Sequence, residues 1–206
     1  MERAYRDARI NRIFEGTNEI NRMLVTGMLL KRAVKGSLPL FAQAETVARA
    51  LVGKQVPAPS GSDAVAGAAR DAEALKMAAL YTMKVAAERF GTELEKHQEV
   101  MAAVADVVMD AYAVDSMVTR ARQSASVAGL DPVKAAMTQA YAADAMARSG
   151  ERARRALCAS SEGSTLEKHL AAIAPLFVFR PFDPAAQRET VVRAAEEAGG
   201  YPLTIA

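Results

Sequence analysis

A glutamate on a turn before a helix is the residue of this chain best suited to chemistry. It lies in residues 13 to 22, whose sequence is Ile-Phe-Glu-Gly-Thr-Asn-Glu-Ile-Asn-Arg. Gly16 follows Glu15 and can adopt positive φ at little steric cost. Thr17 or Asn18 can then cap a helix through a side-chain oxygen. A carboxylate held on such a turn is placed to act as a catalytic base.

The residues after the turn predict the helix that positions this glutamate. Glu19 complements the positive end of the helix dipole, and the helix is expected to begin near Ile20. Acidic residues are common before helices, however, and Glu15-Gly16-Thr17 by itself is more often a capping turn than a catalytic site. The tripeptide therefore supports chemistry only if the flanking residues agree.

The flanking residues do agree with a known pattern. Together with residues 5 to 12, the segment resembles the signature of the acyl-CoA dehydrogenases, flavoenzymes that oxidise acyl-CoA thioesters to 2-enoyl-CoA. The linker and second helical region that follow resemble the C-terminal extension of the very-long-chain branch of that family. The matching positions of the signature are Arg9, Arg12, Ile13, Phe14, Glu15, Gly16, Thr17, Asn18, Ile20 and Arg22.

The resemblance implies a role for each residue of the turn. Glu15 would be the base that removes the α-proton of the thioester, and its backbone N–H would stabilise the charge on the thioester carbonyl. For substrate binding, Phe14 would pack beside the reacting carbons and Gly16 would let the chain pass close to the thioester. The FAD cofactor, which carries the hydride chemistry, would be contacted by Thr17, Asn18 and Glu19.

Some positions depart from the family pattern or have structural alternatives. Family members often have tyrosine where this chain has Phe14, and Gln or Asp where it has Glu19. Phe14 could instead belong to the core, and Glu19 could be a surface acid that complements the dipole. We interpret the arginines mainly as ion-pair and packing residues; they are Arg9, Arg12 and Arg22.

The resemblance also implies partners and a larger protein. The substrate would be an acyl-CoA of fatty-acid β-oxidation, the electron acceptor an electron-transfer flavoprotein, and the assembly a homodimer. The family places an N-terminal helical domain and a β-domain before the catalytic glutamate, so this chain is expected to be a C-terminal portion, inactive alone. The alternative is a non-enzymatic helical module for dimerisation or docking.

Composition limits the class of protein. The 26 basic and 24 acidic residues nearly cancel, which disfavours a nucleic-acid binder. The single Cys158 cannot form an intrachain disulfide, which favours the cytoplasm, or the mitochondrial matrix in a eukaryote, over secretion. Tryptophan is absent, aromatic residues are 5%, and good helix formers dominate. We therefore predict an all-α fold.

Apolar periodicity divides the chain into an up-and-down arrangement of helices. The resemblance implies that residues 1–52 are the C-terminal part of the acyl-CoA dehydrogenase helical domain, with its catalytic loop. Residues 53–63 contain two prolines and several small turn formers, so they are predicted to be a linker. Residues 64–206 are predicted to form a helical-bundle extension, whose short connections imply antiparallel neighbours.

Four local signals predict helix starts within the extension. The capping box Thr92–Glu95 is expected to begin a long helix, and Ser164 is expected to cap a later one. Asp131-Pro132 and Asp183-Pro184 each combine an N-cap acid with proline at the first helical position.

Other candidate sites are weaker. His97 and His169 lie far apart on predicted helices without a second ligand at metal spacing, so no metal site is predicted. A local basic strip has two interpretations: a solvated helix face, or a peripheral membrane surface that contacts acidic lipid head groups. Its members are Arg148, Arg152, Arg154 and Arg155.

The first fifty residues should expose an apolar stripe, because the parent fold would pack them on helices outside this chain. We therefore expect this chain to associate in solution, most simply with a second copy. Light scattering at increasing protein concentration measures this directly. A monomeric mass at high concentration would contradict the expectation.

Overall fold

The computed structural model describes residues 2–59, 61–178 and 180–203, and this part of the chain contains helices and connections but no strand. The predicted all-α fold is confirmed. Three short 3-10 segments, Arg9–Arg12, Gly91–Lys96 and Ala174–Phe177, join some of the α-helices. The α-helices are α1 (Glu2–Ala8), α2 (Asn18–Val34), α3 (Leu40–Val52), α4 (Ala66–Phe90), α5 (Gln98–Ala128), α6 (Pro132–Ser160), α7 (Gly163–Ile173) and α8 (Pro184–Glu197).

The centre of the fold is the three-helix unit of α4, α5 and α6, in which each helix packs on the other two. α2 lies against α5, α3 against α4, and α8 against α6. More than half of the buried apolar residues in the described chain are alanines. Small side chains let helix backbones approach closely, and larger buried side chains such as Leu75, Tyr81 and Leu157 fill the rest of the core.

Two of the predicted helix starts form as expected. The Asp131 carboxylate accepts hydrogen bonds from the backbone N–H groups of Val133 (2.8 Å) and Lys134 (3.3 Å). Asp183 accepts in the same way from Ala185 and Ala186, at 2.9 and 3.2 Å. In both helices proline occupies the first turn, where its missing N–H costs nothing.

The predicted capping box at Thr92–Glu95 is wrong. These residues lie in the 3-10 segment, and α5 begins only at Gln98. The reason is tertiary: Leu94 is buried in the core between α4 and α5, and the Phe90 ring stacks on His97 at 3.7 Å between centroids. Ser164 is not a cap either, since α7 begins at Gly163.

The hydrophobic core continues across the predicted linker. Leu51 of α3 is buried in one cluster with Tyr81 of α4 and Val107 of α5. Ala33 of α2 is buried in another with Met83. The described residues of 53–63 form no helix, as expected for a connection. The division into two domains stays a prediction, but α2 and α3 pack directly on the helices that follow.

Charged residues link α5 to α6. Asp106 and Asp110 are one turn apart on α5, and Arg148 and Arg152 are one turn apart on α6. Arg148 makes a bidentate contact with Asp110, in which the Nε–Oδ2 distance is 2.9 Å and the Nη2–Oδ1 distance is 2.5 Å. Arg152 Nε lies 3.1 Å from Asp106 Oδ2. Ser149 Oγ donates to the same Asp110 carboxylate at 2.7 Å. The mostly buried carboxylates are thereby compensated by fixed cations.

This pairing changes the interpretation of the basic strip. Arg148 and Arg152 face the aspartates of α5, and Arg155 pairs with Glu151 along its own helix. Arg154 is exposed. Membrane contact by this strip stays a prediction. Because three of its four arginines are paired with carboxylates, the strip offers fewer unpaired cations than the sequence indicates. No helix in the described ranges is long and apolar enough to cross a bilayer.

A histidine contact joins α7 to the central unit. Tyr81 Oη and His169 Nδ1 are 2.8 Å apart, and the two rings meet edge to face. Burial lowers the pKa of His169 below its ordinary value of 6.5; Glu88 raises it and Lys84 lowers it to smaller extents. The protonated imidazole is therefore less stable in the folded protein than in the unfolded chain.

The burial of His169 predicts that acidification destabilises the fold. The unfolded chain binds a proton at His169 near pH 6.5, whereas the folded protein binds it only at lower pH, so stability falls as pH drops through 6.5. Urea unfolding between pH 7.5 and 6 measures the loss, and His169→Asn should reduce it. Tyr81→Phe should keep it, since burial is the main cause. An unchanged pH profile in His169→Asn would contradict the assignment.

Candidate functional site

The loop that carries Glu15 connects the 3-10 segment Arg9–Arg12 to α2. Its chain reverses through two consecutive residues with positive φ, 57° at Glu15 and 91° at Gly16. The expected conformation of Gly16 is confirmed. The positive φ of Glu15 was not anticipated, because non-glycine residues rarely adopt it. Such residues are enriched at functional sites, although Lys54, in the connection after α3, also has a positive φ of 54°.

Hydrogen bonds from α2 hold the loop. The Asn21 amide Nδ2 donates to the Gly16 carbonyl at 2.9 Å, and Thr17 Oγ1 accepts from the backbone N–H of Ile20 at 3.3 Å. Of the two candidate caps, Thr17 is therefore the N-cap. Sequence reasoning missed Asn21. The available signal was an amide side chain placed within reach of a glycine carbonyl just before the helix.

Glu19 acts in the first turn as a dipole-complementing acid. The pKa of Glu19 is lowered from its ordinary value, first by a hydrogen bond from its own backbone N–H and second by the Thr17 hydroxyl. Burial opposes this shift and the charge of Arg22 adds to it slightly. The side chain is fully exposed, so it stays ionised without cost near neutral pH.

One side of α2 is buried and the other is exposed. Thr26 and Ala33 are buried against the bundle. Opposite them lies what we call the exposed stripe, Ile20, Leu24 and Met28, at helical spacing. Beside it in the loop lie the half-exposed Phe14 and the exposed Glu15, whose carboxylate has no hydrogen-bond partner in the described parts of the chain.

Phe14 is 52% exposed and so does not belong to the core of the described chain. Among the residues that the structure describes, no group of three or more His, Cys, Asp or Glu side chains could hold a metal. Both histidines are accounted for by aromatic contacts with Phe90 and Tyr81.

Comparison with known proteins assigns two separate stretches of this chain to one family. A family model described as the acyl-CoA dehydrogenase C-terminal domain matches residues 1–30, which contain the loop and most of α2. A second model with the same description matches residues 74–174, from α4 to the 3-10 segment after α7. The two matches together cover more than half of the chain. The chain belongs to the acyl-CoA dehydrogenase family.

Individual relatives agree. A probable acyl-CoA dehydrogenase of Bacillus subtilis (strain 168) is 34% identical over 205 residues, which are 98% of this chain. The crystal structure of an acyl-CoA dehydrogenase complexed with FAD from Bacillus anthracis superposes with a TM-score of 0.90 at 32% identity, again over 98% of this chain. The chain spans about a third of each relative's length, 34% in both.

The strained loop gives a test of its geometry. A Cβ at Gly16 would lie 2.8 Å from Asn21 Oδ1, so Gly16→Ala should displace the Asn21 side chain and loosen the first turn of α2. The matched control is Gly36→Ala, since Gly36 also has positive φ but no atom near a built Cβ.

Hydrogen exchange of the backbone amides of Ile20 and Asn21 reports on this turn, because both N–H groups bond to Thr17. Exchange should accelerate in Gly16→Ala and stay near wild type in Gly36→Ala. Loss of the Asn21 hydrogen bond corresponds to about 1 kcal/mol, or roughly fivefold faster exchange. Equal protection in both variants would refute the role assigned to Asn21.

Proposed function

We propose that the complete protein is an FAD-dependent acyl-CoA dehydrogenase that oxidises acyl-CoA to trans-2-enoyl-CoA in fatty-acid β-oxidation, with Glu15 as the base. The observation that carries this proposal is the Glu15 carboxylate. It is exposed, it has no hydrogen-bond partner in the described chain, and it lies on a left-handed turn directly before α2. The family relationship supports it, since relatives over nearly the whole chain are named acyl-CoA dehydrogenases.

The chemistry assigned to Glu15 is removal of a proton from the carbon next to a thioester carbonyl. A general base of this kind must lie within hydrogen-bond reach of the proton, and an unpaired carboxylate is free to do so. The negative charge that develops on the thioester oxygen needs fixed donors. The backbone N–H of Glu15 is the donor that this chain would supply.

The neighbours of Glu15 fit the substrate roles. Positive φ at Gly16 and the lack of a side chain there allow the backbone to approach a bound thioester closely. Phe14 keeps half of its surface exposed beside the carboxylate and offers an apolar contact to the acyl carbons. Together they would exclude water from the carbon that loses its proton.

The start of α2 fits a flavin cofactor. A helix N-terminus favours anionic and acceptor groups through its free N–H groups. The Asn18 side chain has no partner among the described residues, whereas the Thr17 hydroxyl already contacts Ile20. Asn18 is therefore the best-supported contact, Thr17 a second, and Glu19 the weakest, since its carboxylate serves the helix. FAD, when bound, would supply the hydride acceptor.

The remaining assignments follow from the family. The reoxidising partner would be an electron-transfer flavoprotein, the assembly a homodimer, and the compartment the cytoplasm or the mitochondrial matrix. The exposed, free Cys158 supports a reducing compartment. The alternative of a non-enzymatic interaction module is supported only by the exposed stripe, which an enzyme could equally cover with the rest of its polypeptide.

Replacing Glu15 tests the proposal. In the complete protein, Glu15→Gln keeps the shape of the side chain but removes the base, so turnover of acyl-CoA should fall by about 10² to 10⁴-fold. FAD absorbance should be retained. The assay follows reduction of an artificial electron acceptor by acyl-CoA.

The matched control is Glu93→Gln, an exposed acid of the 3-10 segment before α5 that pairs with Lys96 and with no other residue that the structure describes. It should keep wild-type turnover. Full activity in Glu15→Gln would end the assignment of Glu15 as base, and a complete protein that binds no FAD would end the proposal as a whole.

A further inference from the structure

Helix α2, which carries the Glu15 loop, is fixed on α5 by two polar contacts. Arg22 Nε donates to Asp106 Oδ1 at 2.7 Å. One turn further along, the buried Thr26 Oγ1 donates to the Met101 carbonyl at 2.9 Å. The two pairs run in opposite directions along the helices, so α2 and α5 are antiparallel and locked in one register.

Arg22 also holds the first turn of its own helix. Its Nη1 donates to the Asn18 carbonyl at 3.0 Å while its Nε bonds to Asp106. A guanidinium is planar and rigid, so these two contacts fix the start of α2 relative to α5. The start of α2 is the point from which Asn21 and Thr17 hold the loop.

Asp106 is itself held from the opposite side. Arg152 of α6 lies with Nε 3.1 Å from Asp106 Oδ2 and reaches Asp110 with Nη1 at 3.4 Å. The Asp106 side chain is mostly buried, so its charge is compensated by two arginines on different helices. Its position is set by the central bundle and not by the loop.

The loop lacks such an anchor of its own. Glu15 is exposed, and the loop's side-chain hydrogen bonds in the described chain come from the first turns of α2. The location of the Glu15 carboxylate relative to the bundle therefore depends on how α2 is seated. Of the two polar contacts that hold α2 on α5, the one nearer the loop is between Arg22 and Asp106.

We infer that Asp106 is a positioning residue for the Glu15 loop, acting through Arg22 across the α2–α5 interface. The inference rests on the proposed role of Glu15. It gives α5, far from the loop in sequence, a defined part in the reaction. Asp106 does not touch the reacting atoms; it sets where the base lies.

The test uses the complete protein loaded with FAD. Asp106→Asn removes the charge that orients Arg22, and a displacement of the base by about 1 Å is expected to lower turnover per bound FAD by up to about 10²-fold. KM for acyl-CoA should change much less than kcat. A merely structural role would lower the melting temperature and the FAD content but leave turnover per bound FAD unchanged.

Three further variants sharpen the result. Asp106→Glu restores the carboxylate and should recover part of kcat. Arg22→Gln should match Asp106→Asn, and combining the two should add little, because both remove the same contact. Asp115→Asn is the control, since Asp115 lies on the same helix but pairs with Lys76 at the surface. It should keep wild-type kcat.

If Asp106→Asn fails to fold, Arg22→Lys decides the question. Lysine keeps the charge but cannot bond to Asp106 and the Asn18 carbonyl in the fixed geometry of a guanidinium, so kcat should still fall. Wild-type turnover per bound FAD in Arg22→Lys or in Asp106→Asn overturns the inference. Loss of activity in Glu15→Gln with unaltered Asp106 variants refutes the positioning role alone, whereas an active Glu15→Gln refutes the proposed base.

Discussion

Pairing of Asp106 and Asp110 with arginines is the constraint on which the arrangement of α2, α5 and α6 depends. Each carboxylate is mostly buried and each is met by a guanidinium from a neighbouring helix. Removing one partner of a buried pair typically costs about 3 to 5 kcal/mol, a large part of the 5 to 15 kcal/mol that stabilises a domain. The intact pairs add little net stability, so their main effect is to allow one register and to penalise others.

The helix interfaces in this fold are of two kinds, which contribute differently to the structure. Alanine-rich contacts between α4, α5 and α6 bring the backbones close but provide few directional contacts between specific atoms. The charged contacts and the buried Thr26 hydroxyl pair specific residues and so define the register between the helices. The Glu15 loop is connected to the central helices through these contacts, from Arg152 through Asp106 and Arg22 to the start of α2. On the α2 side of Glu15, Asn21 and Thr17 hold the turn, and on the other side the Phe14 N–H donates to the Ile10 carbonyl at 3.2 Å.

Local signals in the sequence predicted most helices, and non-local contacts account for what was missed. Asp131 and Asp183 cap their helices through residues two or three positions away, so their roles were visible in the sequence. The box at Thr92 failed because burial of Leu94 overrode it. The partnership of Arg22 and Asp106 was not predictable, since nothing in either segment indicates that α2 and α5 meet at those positions. The roles of Phe14 to Glu19 in catalysis and cofactor binding came from a family pattern and remain predictions.

The abundance of buried alanine affects how stability responds to temperature. The heat-capacity change of unfolding grows with the apolar area exposed, and an alanine exposes much less than a leucine. A bundle whose buried apolar residues are mostly alanine therefore has a shallower stability curve for its length than one filled with large aliphatic side chains. Cooling therefore weakens such a core less than it weakens a core of large aliphatic side chains.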